Sequence, residues 1–204
     1  TDGYLGALSP NHRERIEQIT AKGRYLANRI SRYLNLARVE SDTLKLGSRR
    51  EVDFVAEVID ASVHVVRPQI ESKGMALVCG LPPAPLYAEC DPHLLRTVLV
   101  SLLENAVQYG REGGEIRLRT ERNSQNLNVS VWNEGPGFPA NMRSRLFRRF
   151  SRLQTPELRR REGAGVALYT SWRIVQLHNG RIGANSERGR WAEFFFEIPQ
   201  PLRT

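Results

Sequence analysis

From about Asn11 to Leu46 the apolar residues Ile16, Ile19, Tyr25, Leu26, Ile30, Tyr33, Leu34, Leu36 and Val39 recur at steps of three and four, with charged residues between them. That spacing predicts one long amphipathic helix, with Ser9-Pro10-Asn11 as its start and Gly47 as its stop. A lone rod with one apolar stripe buries little, so the pattern also predicts a helical partner, from a second chain or from a segment outside this sequence. After Gly47 the pattern changes. Val52 to Glu71 predicts a second helix through Phe54, Val55, Val58, Ile59, Ser62, Val63 and Val66, with Pro68 near its end. Met75 to Cys79 and Leu86 to Glu89 are short strand candidates on either side of Pro82-Pro83-Ala84-Pro85. Asp91-Pro92 opens a helix, Asp as the cap and Pro in the first turn, that runs to about Tyr109. Alternating patterns then predict strands at Glu115 to Glu121 and Leu127 to Trp132. A helix is expected over Ala164 to Leu177, ending at His178-Asn179-Gly180. Two closing strands, Arg181 to Ser186 and Trp191 to Ile198, form a hairpin across Glu187 to Arg190.

This order of elements predicts residues 1–46 as a helical unit and residues 47–204 as an α+β domain. The expected architecture is a two-layer α/β sandwich with a mixed, mostly antiparallel sheet. No internal repeat is visible. Composition leaves the picture unchanged: 204 residues, 40% hydrophobic and 25% charged, describe an ordinary globular chain. No apolar run approaches the roughly 18 to 20 residues that cross a bilayer, so no span is expected in this segment, whatever a longer protein carries. Cys79 and Cys90 have no metal-type spacing and sit in apolar stretches. Reduced core thiols and a cytoplasmic location are expected.

Charge adds one local feature. The net charge of +8 rests on arginine, with only three lysines, and eight arginines fall in one stretch: Arg143, Arg145, Arg148, Arg149, Arg152, Arg159, Arg160 and Arg161. A basic surface attracts phosphate backbones. Few aromatics interleave this stretch beyond Phe147 and Phe150, so no nucleic-acid partner is expected.

Three short patterns carry candidate chemistry. On the helix ending at Tyr109, Ser101, Asn105 and Gln108 share one polar face at spacings of four and three. An uncharged amide there can offer an oxygen to magnesium or its water. A half-buried asparagine satisfying backbone groups gives the same pattern. Next, the strand ending in Asn133 runs into Glu134-Gly135-Pro136-Gly137-Phe138. The amide oxygen can accept from an exocyclic amine, and the glycines let a base lie close to the backbone. A plain strand-exit turn reads the same way. Third, Gly163-Ala164-Gly165 at a helix start, behind the arginine stretch, can cradle phosphate.

The order of these patterns is more specific than any one of them. Together with Leu146-Phe147-Arg148-Arg149-Phe150, the chain resembles the catalytic ATP-binding domain of sensor histidine kinases, a GHKL-type fold shared with gyrase and Hsp90. The resemblance covers almost the whole chain and implies ATP and Mg2+ as ligands. It makes Asn105 the metal asparagine and a catalytic residue, with Gln108 beside the phosphates and Tyr109 flanking adenine. Asn133, Gly135, Gly137 and Phe138 fall on the first glycine box, and Phe147 and Phe150 on the phenylalanine box. Gly163, Gly165, Val166, Ala167 and Leu168 fall on the second glycine box, and Arg159, Arg160 and Arg161 on a lid that neutralises charge. Leu5 to Leu46 resembles the close of a dimerisation hairpin, which implies a hairpin or homodimer partner and a response regulator.

Departures from the pattern set further expectations. Asn133 stands where Asp is usual and keeps an acceptor oxygen. Ser101 replaces an asparagine, Gln108 a lysine and Ala167 a third glycine, which implies weaker phosphate binding. The glutamate that activates water in the hydrolytic branch of the family has Ser101 in its place, which favours a kinase over an ATPase. Glu104 lies about 100° around the helix from Asn105. The phosphoacceptor histidine is expected before Thr1: His12 and His178 have structural readings, His64 sits on a packed helix, and His93 lacks an adjacent acid. The segment alone is therefore not expected to phosphorylate itself. The alternative is a degenerate nucleotide module acting as a scaffold or switch.

Overall fold

The computed structural model describes residues 49–82, 85–151 and 165–201, together with 9, 12–16, 18–20, 22–23, 30, 34, 37 and 45–47. Residues 12–16, 18–20, 22, 23, 30, 34 and 37 are helical, as the periodicity predicts, and exposed. The apolar members of that stripe among the described residues, Ile16, Ile19, Ile30 and Leu34, stand in solvent.

The α/β part is a two-layer sandwich. One five-stranded sheet has the order β2-β4-β5-β7-β6, with β2 Ala76–Gly80, β4 Glu115–Arg122, β5 Asn126–Glu134, β6 Arg181–Glu187 and β7 Trp191–Pro199. The β2 and β4 strands run parallel; every other pair in this sheet is antiparallel. A separate two-stranded sheet joins β1 Arg50–Asp53 to β3 Tyr87–Cys90. Three helices form the other layer: α1 Ala61–Ser72, α2 Pro92–Tyr109 and α3 Ala167–Leu177. Alternation decides which face they cover. Leu127, Val129 and Val131 of β5 and Phe194, Phe196 and Ile198 of β7 point inward and are buried. From α2, Leu95, Leu99, Leu102 and Leu103 meet them with no exposed surface. Replacing any one of these leucines by alanine would cost about 2–5 kcal/mol.

Where the sequence and the structure differ, the cause is local. The helix expected from Val52 begins later, because residues 50–53 pair with β3 and Val52 is buried in that ladder. Asp53 marks the change: its Oδ1 accepts from the main-chain N–H of Val55 at 3.1 Å and of Ala56 at 3.4 Å. The first turns, Val55–Asp60, are π-helical before α1 takes over, and Pro68 lies inside α1. The helix expected from Ala164 is described only from Ala167, two residues past Gly165. Its other end is as predicted, with Asn179 in the left-handed region at φ 56°.

The two cysteines also part company. Cys90 is buried, and burial first, then the neighbouring Asp91, pushes its thiol up to about 12. Cys79, expected in the core, is exposed because β2 is an edge strand. At pH 8 a thiol reagent should modify one equivalent in the native protein, at Cys79. Cys90 should react only after denaturant is added. Two equivalents released from native protein by a colorimetric disulfide reagent would contradict this burial pattern.

Candidate functional site

The helix α2 starts where its sequence says it should. Asp91 Oδ1 accepts from the N–H groups of His93 and Leu94, both at 3.1 Å, while Oδ2 accepts from the N–H of Gly47 at 2.9 Å. The Asp91 N–H donates in turn to Nε2 of His178 at 3.1 Å, and Nδ1 of His178 donates to the Ile174 carbonyl at 2.9 Å. His178 is thus a buried neutral link between α2 and α3, as its structural reading expects. Burial, the largest cause, lowers its pKa below the ordinary 6.5, against the opposing pull of the Ile174 carbonyl and Asp91.

The sign of the pH dependence follows. The folded state holds the neutral imidazole, so the unfolded chain binds the proton more readily. His178 contributes stability in full above pH 6.5, and the contribution is lost as pH falls through the lower folded value. Urea midpoints from pH 8 to 5 should fall for wild type more steeply than for His178→Gln. Parallel curves would refute the assignment.

The second half of α2 carries a polar face. Ser101 and Asn105, one turn apart, are half-buried, and Ser101 Oγ and Asn105 Nδ2 are buried without a hydrogen-bond partner among the described residues. Buried polar atoms are almost always paired, so two orphans on one helical face mark a place where a polar ligand fits. Gln108 and Tyr109 follow on the same helix, half-buried and engaged in further interactions. Lys73 on the loop after α1 donates from Nζ to the Val107 carbonyl at 2.8 Å and ties down this end of α2.

Asn133 ends the inward-facing series of β5 and is 2% exposed, an amide among apolar neighbours. Its Nδ2 donates to the Glu134 carbonyl at 3.0 Å. Gly135 follows in close contact with the end of α2: a Cβ there would lie 2.9 Å from the Tyr109 carbonyl oxygen and 3.2 Å from Gly110 Cα. Asn133, Gly135, Tyr109 and Gly110 are therefore brought together. Gly137 has φ 59°, and its turn is bound to the closing hairpin through Phe138 N–H, which donates to Ser186 Oγ at 2.8 Å. The Phe138 ring is buried against Phe194, with centroids 5.9 Å apart, and serves the core rather than an open surface.

Gly165 has φ 68° and packs against the backbone of Phe150 and Ser151. Val166 is buried, and Ala167 and Leu168 form the half-buried first turn of α3. Phe150, at φ 56°, is 56% exposed with the Arg149 guanidinium 4.8 Å from its ring, whereas Phe147 packs on the core. Arg159, Arg160, Arg161 and Gly163 lie outside the described residues. Among those described, no group of three or more His, Cys, Asp and Glu side chains is placed to hold a metal. A metal at this site would take amide and phosphate oxygens, the donor set that suits Mg2+. Sequence reasoning missed Glu134 and Arg111, which pair at 2.8 Å beside Asn133. A charged residue in a glycine turn carries no periodic signal.

Comparison with known proteins covers the stretch that holds these residues. Residues 90–202 match the family described as histidine kinase-, DNA gyrase B-, and HSP90-like ATPase. The sensor histidine kinase AruS of Pseudomonas aeruginosa is 32% identical over 214 residues, covering 96% of this chain and 20% of that protein. The chain spans between 20% and 49% of the curated relatives considered. Full-length ShkA in complex with AMPPNP superposes with TM-score 0.77 at 25% identity, over 97% of this chain and 41% of that one. Histidine kinase ThkA in complex with the response regulator TrrA superposes with TM-score 0.69 at 22% identity, over 95% of this chain and 53% of that one, a likeness of fold.

Proposed function

Because this chain belongs to the histidine kinase-, DNA gyrase B-, and HSP90-like ATPase family, we propose that it binds Mg-ATP at α2, the end of β5 and the start of α3. It then passes the terminal phosphoryl group to a histidine on a helical hairpin, for relay to a response regulator in two-component signalling. The observation that carries the reading is the pair of orphaned polar atoms, Ser101 Oγ and Asn105 Nδ2, on a helix whose end touches the turn after Asn133.

In this reading Asn133 accepts from the adenine amino group, and Gly135 and Gly137 let the turn beside the base close on the end of α2 and on the final hairpin. The Oδ1 of Asn105 would hold Mg2+, which would supply charge neutralisation, while its unpartnered Nδ2 would donate to a phosphate oxygen. The backbone at Gly165 and the first turn of α3 take the phosphate tail. Arg159, Arg160 and Arg161 offer charge to the terminal phosphate. An imidazole nitrogen of the acceptor attacks the γ-phosphorus, the bond from phosphorus to the ADP oxygen breaks, and ADP leaves. Positioning and electrostatics do the work. Hydrolysis is the poorer reading because a hydroxyl, that of Ser101, stands where a carboxylate would activate water. Partners in this proposal are a second copy of the chain through the exposed stripe of its first helix, and a response regulator.

The test is Mg-ATP binding by calorimetry, followed by addition of a hairpin fragment carrying an acceptor histidine and radiolabelled ATP. Labelled fragment is expected. Binding without transfer would instead favour the degenerate module.

A further inference from the structure

We propose that Glu134 is a positioning residue for the nucleotide, acting through its main chain on Asn133 and through its side chain on the loop after α2. The inference rests on the nucleotide reading above and assigns a role to a residue that reading leaves idle.

The Glu134 carbonyl accepts two hydrogen bonds, from the Arg111 N–H at 2.9 Å and from Asn133 Nδ2 at 3.0 Å. A carbonyl oxygen has two lone pairs, so this one is saturated. The consequence falls on Asn133. Turning its amide over would set Oδ1 against a carbonyl oxygen, two acceptors face to face, in a site where the residue is 2% exposed. The amide is thereby held with Oδ1 as the atom left to meet a ligand. An acceptor fixed in that place suits a base with an amino group at C6 and opposes one with an oxo group there.

The carboxylate of Glu134 completes the arrangement. Oε2 accepts from the Arg111 guanidinium at 2.8 Å and from the Glu115 N–H at 3.0 Å. One side chain therefore spans the loop from the end of α2 to the start of β4, and the loop carries the Arg111 N–H that occupies the Glu134 carbonyl. The ion pair is partly exposed, 67% for Arg111 and 34% for Glu134, and by itself contributes little. Its bond to a main-chain amide adds to the loop's backbone ties, from the Gly113 N–H to the Lys73 carbonyl and from the Gly114 N–H to the Arg111 carbonyl, both at 3.0 Å. On the far side, the Gly135 N–H donates to the Arg190 carbonyl at 3.0 Å, which keeps the next residue from following a displaced Glu134.

The experiment compares wild type with Glu134→Ala and Glu134→Gln. Affinities for ADP and for inosine diphosphate, its 6-oxo counterpart, are measured by calorimetry at 20 °C, with melting temperatures alongside. Wild type should prefer ADP. Glu134→Ala should bind ADP about tenfold more weakly and lose part of that preference, while Glu134→Gln, which keeps an acceptor for the Glu115 N–H, recovers most of both. A lower melting temperature for Glu134→Ala with unchanged ADP affinity and selectivity would make Glu134 structural only and overturn the proposal. Wild type that binds no adenine nucleotide would overturn the nucleotide reading and this inference together, a result separable from the first.

Discussion

Asn105→Asp is expected to remove phosphoryl transfer to a supplied hairpin and to weaken Mg-ATP binding about a hundredfold or more. The amide is neutral and can give its oxygen to a metal that already carries phosphates; a carboxylate at the same place adds a negative charge beside a polyanion. An effect of about 3 kcal/mol is the usual scale for a charged group set against its ligand in a partly buried site. The fold should hardly notice. Asn105 Nδ2 has no hydrogen-bond partner among the described residues, so Asn105→Ala removes a buried polar atom at no cost in intramolecular bonds. Its melting temperature should equal or exceed that of wild type while binding is lost, the signature of a residue kept for a ligand. An Asn105→Ala variant that unfolds several degrees earlier, or that still binds Mg-ATP, would remove the ground for the site.

The opposite signature is expected at Gly137. A Cβ there would sit 2.5 Å from Ser186 Oγ, 2.7 Å from the Glu187 carbonyl oxygen and 2.8 Å from the Trp191 carbonyl oxygen. Two of the three are backbone atoms of the closing hairpin and have no rotamer to yield. Gly137→Ala must displace β6 from β7 or the turn from both, at φ 59° besides. A loss of about 3 kcal/mol is expected, which lowers the melting temperature by about 10 °C in a domain of this size. Gly113→Ala is the control, since Gly113 has φ 68° but open space around its Cβ position. It carries the backbone penalty alone, about 1 kcal/mol. Equal melting curves for the two variants would show that the contact at Gly137 relaxes freely.

The contrast between these two residues also explains what could be read from the chain. Asp91-Pro92 announces α2 because capping is chemistry between neighbours, and Asp91 makes both expected cap bonds. Asn133 and its glycines are legible for the same reason: a strand, an amide and a tight turn are consecutive. Val52 misled because its spacing to Val55 fits a helix, while its partner, Ala88, lies far along the chain. Cys79 misled because composition cannot say which strand ends a sheet. The pairing of β2 with β4 across α2 is invisible for that reason as well. Glu134 was beyond reach altogether, since its role depends on Arg111 and Glu115, brought beside it only by the fold. For the arginines at 159–161 the sequence still stands alone.

One carboxylate has a mechanical side. Asp91 caps α2 with Oδ1 and holds the Gly47 N–H with Oδ2, so the chain enters the α/β unit at the foot of the helix that carries Asn105. At 1.5 Å of rise per residue, Asn105 stands roughly 21 Å up that helix from the anchored end. Packed on the sheet, α2 cannot move by itself, so a turn at Gly47 would carry the whole α/β unit with it. A rotation of about 10° there would sweep Asn105 through roughly 4 Å, and, on the phosphotransfer proposed above, a modest swing at the joint would be enough to bring a nucleotide's terminal phosphate up to a waiting side chain or carry it out of range.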